Sequence, residues 1–155
     1  MHEVYFNNYL EYEGIRQHLV KQFYFLKEEM LTEGFRYEEE LGVLGIAWGG
    51  MIVIDDIILL VNLSSRERRV EFIIGVNDYS KRTEFCLLKK SRPIIDVINS
   101  LSGNKVNCSL STDPELLVED ISLISKHLRE CLKVVSMEEI KAAIEDDDFQ
   151  RIKGS

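Results

Sequence analysis

Residues 41–62 read LGVLGIAWGGMIVIDDIILLVN, and the reading of this stretch decides the fold. Its Val, Ile and Leu content and its shortness favour strands over helix. Two strands are expected, 41–48 and 51–62, joined by Gly49-Gly50, because glycine supplies the positive φ of a tight hairpin turn at little cost. Asp55 and Asp56 then fall inside the second strand. In an alternating strand one would face each side, unless a bulge turns both outward. The plain reading is an exposed or bulged strand centre. The functional one is a binding edge.

On the C-terminal side the same signal continues. RRVEFIIGV (68–76) and RTEFCLLK (82–89) read as two more strands, with turns at LSSRE (63–67) and around Asn77, Asp78 and Ser80. On the N-terminal side the period is helical. Ile15, Leu19, Phe23, Leu26 and Met30 form one stripe over 15–33, with Gly34 placed as a C-cap. Beyond residue 91 the helical period returns in three segments. Ser91 is expected to cap a helix with Pro93 in its first turn, Ile94, Ile95, Val97, Ile98 and Leu101 inside, and Gly103 past its end. TDPE (112–115) reads as a capping box opening a helix to about Val134, with Leu117, Ile121, Ile124, Leu128 and Cys131 or Leu132 as its stripe. SMEE (136–139) opens a last, short helix that runs into an acidic stretch.

A helix, a run of strands and a run of helices predict an α+β fold, with an antiparallel sheet of about four to five strands under a helical layer. The chain of 155 residues, 45% hydrophobic and 30% charged, suits a single domain over 1–155. Residues 153–155 read as a disordered tail or a cloning remnant. The start, MHEVYFNNYLEYEG, has no basic region leading into an apolar run, so no signal peptide is expected. The stretch 51–63 is too short for a bilayer span and is broken by two acids. Cys86, Cys108 and Cys131 form no CxxC and fit reduced thiols, and the cytoplasm is the expected location.

Most catalytic and metal patterns fail on a key residue. His127 and Cys131 share a helix face but supply only two ligands, and Cys131 continues the apolar stripe. His18 stands alone in the first helix. A restriction-type nuclease would follow an Asp with Glu-x-Lys one strand later. Glu71-Phe72-Ile73 and Glu84-Phe85-Cys86 both lack the lysine. The glycines of 42–50 open no helix and precede no Lys-Ser or Lys-Thr, so they form no phosphate loop. No cofactor or metal is expected, and no enzymatic activity is assigned.

The charge map is more informative. Residues 1–63 hold 11 acids against 4 bases and 111–155 hold 11 against 6, whereas 64–110 hold 5 against 9, within a net −8. Such a balance argues against direct nucleic-acid binding, which needs surplus Lys and Arg. Acid concentrates in YEEE (37–40) and EDDD (145–148). Acidic runs are usually solvated surface that aids solubility. EDDD, however, closes a helix, where the macrodipole disfavours each negative charge by about a few tenths of a kcal/mol. Consecutive helical residues fan out by about 100°, so EDDD is ill-suited to converge on one ion. Attraction of a basic partner is the functional reading. The candidate contact set is Glu38, Glu39, Glu40, Asp55, Asp56, Glu145, Asp146, Asp147 and Asp148, with Tyr37 and Phe149 as aromatic anchors.

In size, acidity, leaderless start and the YEEE and EDDD stretches, the chain resembles the immunity proteins of bacterial toxin systems such as contact-dependent growth inhibition. The resemblance, to a class diverse in fold, implies a small, acidic, cytoplasmic single-domain protein that binds and blocks a toxin domain, often a basic nuclease; no membrane association is expected. The alternatives are a small enzyme with scattered active residues and a phage or adaptor protein mimicking nucleic-acid charge. An enzyme calls for a deep pocket, and mimicry calls for carboxylates in rows at phosphate-like spacing.

Overall fold

The computed structural model describes residues 13–29, 36–39, 46–64, 69–77, 88–103 and 105–146. Two helices, α1 (Glu13–Phe23) and α2 (Phe25–Glu29), lead into strands β1 (Arg36–Glu39), β2 (Ile46–Ile54), β3 (Ile57–Ser64), β4 (Arg69–Asn77) and β5 (Leu88–Pro93). Helices α3 (Ile94–Ser102), α4 (Pro114–Cys131) and α5 (Met137–Glu145) follow. The strands form one antiparallel meander in the order β1-β2-β3-β4-β5. The α+β class read from the sequence is therefore the observed one.

The strand alternation sorts side chains into two faces. Ile52 and Ile54 of β2, Ile57, Leu59, Val61 and Leu63 of β3, and Val70, Phe72, Ile74 and Val76 of β4 face the helices. There they meet Ile15, Leu19 and Phe23 of α1, Leu26 of α2, Val97 and Ile98 of α3, the α4 stripe, and Ile140 and Ile144 of α5. The α4 stripe is Leu117, Ile121, Ile124 and Leu128, as its spacing predicts, with Cys131 also buried. The rings of Phe23 and Phe72 meet edge to face, with centroids 5.6 Å apart. The other face carries Met51, Val53, Ile58 and Leu60, also withdrawn from solvent. Burial on both faces is why 51–63 reads as a nearly unbroken apolar run.

That run hides the hairpin turn, and the observed topology differs from the expected one. Gly49 and Gly50 lie within β2, opposite Asn62 and Val61. The turn is Asp55-Asp56, between the paired Ile54 and Ile57. Asp55 adopts φ 53, a left-handed conformation that Asp tolerates better than most residues. Asp55 and Asp56 are thus not a strand centre or a bulge but the corner of the β2–β3 hairpin. Asp55→Gly is expected to raise unfolding stability by about 0.5–1 kcal/mol, and Asp55→Val to lower it by about 1–2 kcal/mol. Urea unfolding of both variants checks this. Equal midpoints for Gly and Val would contradict a left-handed residue at this corner.

Other boundaries shift for identifiable reasons. The first helical segment breaks at Tyr24, between α1 and α2, and its expected extension past Glu29 lies outside the described residues. β1, with sequence RYEE, carries no apolar alternation and was not expected as a strand. Such a charged sequence is suited to an edge strand. Of the segment 41–48, only residues 46–48 are described, as the start of β2, and 82–87 likewise lie outside. Ser91 is not a cap: it pairs with Gly75 in β5, and Pro93 occupies the N-cap position of α3. Gly103 ends α3 at φ 74, donating its N–H to Asn99 O, as its position past the last apolar residue suggests. Asp113, not Thr112, caps α4 by accepting from the Glu115 amide at 3.0 Å. Ser136 caps α5 through the Glu139 amide at 3.2 Å, as read from SMEE.

Candidate functional site

Two of the acid stretches meet at one end of the sheet. The β2–β3 hairpin presents Asp55, exposed, and Asp56, partly exposed. Helix α5 packs Ile140 and Ile144 into the core, which fixes the direction of its remaining side chains. Lys141 then reaches the hairpin and forms an ion pair with Asp56. The hydrogen bond that Lys141 donates to the Asp56 carboxylate, followed by the charge of that carboxylate, holds the ammonium above its ordinary range. The fields of Glu145 and Glu138 act in the same direction.

The end of α5 is braced from β5. Lys90 and Arg92 pair with Val76 and Ile74 and so rise on the helical side of the sheet. Lys90 Nζ donates to the Glu145 carbonyl at 3.0 Å, and an Arg92 terminal nitrogen donates to the Asp146 carbonyl at 2.7 Å. Cations at a helix C-terminus satisfy orphan carbonyls and offset the negative end of the dipole. The electrostatic penalty expected for an acidic helix end is therefore compensated within the chain. At Asp146 the backbone turns extended, with ψ 116, and the helix stops.

Among the described residues, the candidates of β1 lie away from this corner. Glu38 and Glu39 stand opposite Met51 and Gly50, four and five residues along β2 from Asp55. At about 3.3 Å per residue this is roughly 13–17 Å down the strand. Tyr37 stands opposite Ile52. Glu40, Asp147, Asp148 and Phe149 lie outside the described residues. What the acid runs alone could not reveal were their cationic partners Lys90, Arg92 and Lys141. The surplus of bases over 64–110 was the available signal for the first two. No family model, curated protein or solved structure matches the chain.

Groups with nucleophilic potential lie elsewhere, at the His18–Ser122 contact and at the cysteines. His18 Nε2 lies 3.0 Å from the Val118 carbonyl oxygen and 2.8 Å from Ser122 Oγ. A carbonyl can only accept, so Nε2 carries the proton and cannot serve as a base toward Ser122. The Ser122 hydroxyl itself donates to Val118 O at 3.1 Å. Burial holds the imidazole below its ordinary pKa, against the backbone hydrogen bond to Val118, with Lys21 adding to the lowering. The arrangement ties α1 to α4. It does not activate a serine.

The two described thiols are equally unsuited to nucleophilic work. Cys131 is buried and Cys108 half-buried, both are free, and Cys86 lies outside the described residues. Burial is the main cause that raises both, with Cys108 pushed up to about 11. Asp120 contributes at Cys108 by charge and hydrogen bond, while also accepting from the Ser111 amide at 3.0 Å. Against an ordinary thiol of pKa 9.0, the thiolate fraction of Cys108 at pH 8 falls about a hundredfold. Native-state alkylation at that pH should be slowed accordingly, and unfolding should restore the full rate. Reaction of Cys108 at the free-thiol rate in the native protein would contradict its burial. Among the described residues no group of three or more His, Cys, Asp and Glu could hold a metal ion. Among them, too, no helix is long and apolar enough to cross a membrane.

Proposed function

We propose that this protein binds and neutralises a basic protein partner, as an immunity protein blocks a toxin nuclease domain. The observation that carries the reading is the assembly of Asp55, Asp56, Glu145 and Asp146 on a hairpin corner and a helix end, both anchored to the sheet. Rigid placement lowers the ordering cost of binding. The net charge of −8 supplies a field that steers a basic partner toward this rim. Lys90, Arg92 and Lys141 interleave the acids, and mixed charge suits a protein surface better than it suits imitation of a phosphate backbone. Asp56 serves Lys141 and acts as a brace, while Asp55, Glu145 and Asp146 make up the rest of the acidic rim.

The test is association with the basic protein encoded next to this chain's own gene, measured for the wild type and for Asp55→Asn/Glu145→Gln/Asp146→Asn. Lys90 and Arg92 bond to main-chain carbonyls of 145 and 146, so the triple variant keeps those acceptors. At 0.01 M salt, where the Debye length is about 30 Å, association should slow about tenfold. Near physiological salt, where it is about 8 Å, the gap should narrow. An unchanged association rate at both salt concentrations would make these acids solvated surface and sink the proposal.

A further inference from the structure

We draw no further inference here: the strongest candidate, the second apolar face of the sheet formed by Met51, Val53, Ile58 and Leu60 beside Ile73, carries nothing because no contact among the described residues shows what covers it.

Discussion

Phe72→Ala should lower unfolding free energy by about 3–5 kcal/mol, a large share of the roughly 5–15 kcal/mol that holds a domain folded. Phe72 sits in β4, between β3 and β5, and its ring is 2% exposed. It meets Phe23 of α1, which is wholly buried, at an interplanar angle of 66°. Truncation removes both the transfer energy of the ring and its contacts, and a strand held by two neighbours cannot collapse into the space. Phe23→Ala should cost a similar amount. Because the rings touch, the double variant should lose less than the sum, by about 0.5–1.5 kcal/mol. Urea unfolding of the four proteins gives the coupling directly. Strict additivity would mean that the two rings do not pack against each other in solution.

The second large effect concerns the platform of the proposed site. Helix α5 has two buried side chains, Ile140 and Ile144, both with no exposed surface. Ile144→Ala should cost about 2–5 kcal/mol, and much of that loss should appear as local opening of α5. Hydrogen exchange at 141–145 should then quicken well beyond that of β3. Leu128→Ala, in the stripe of α4, is the control that should weaken the whole structure without singling out α5. If the 141–145 amides open only with global unfolding in Ile144→Ala, the helix end is not a separable unit. Partner association would then have to be judged without any contribution from its mobility.

The helices of the C-terminal half were legible because their apolar stripes recur at three and four residues over long segments. Leu117 to Cys131 in α4 is the clearest case. The β2–β3 corner was not legible. Gly49-Gly50 carries the stronger turn chemistry, and only register, with Ile54 opposite Ile57, puts the corner at Asp55-Asp56. β1 escaped because RYEE has neither alternation nor β-branched residues, and its pairing with β2 defines it. At the rim, the acids were visible in the sequence but their meaning was not. Lys141 lies 85 residues from Asp56, and Lys90 lies 55 from Glu145, so no local pattern could join them. An isolated helix ending in acid would carry the dipole penalty, whereas the folded chain supplies two cations to this end.

The attachment of α1 and α2 to α4 has a consequence for the order of events during synthesis. Three polar contacts tie these elements together: His18 to Val118 and Ser122, Ser125 to the Gln22 carbonyl, and Arg129 to Glu29. Their partners are separated by 100–104 residues. The meander between them closes hairpin by hairpin from nearby segments, so its loop-closure cost is small at each step. Helix α1, by contrast, is made well before the α4 groups that become its polar partners. At about 5–20 residues per second, a ribosome leaves roughly 5–20 s between the two. Throughout that interval Ile15, Leu19, Phe23 and Leu26 lack the α4 surface that later covers them. The nascent chain is therefore vulnerable to capture by chaperones, or by its own copies, at the apolar faces of α1 and α2.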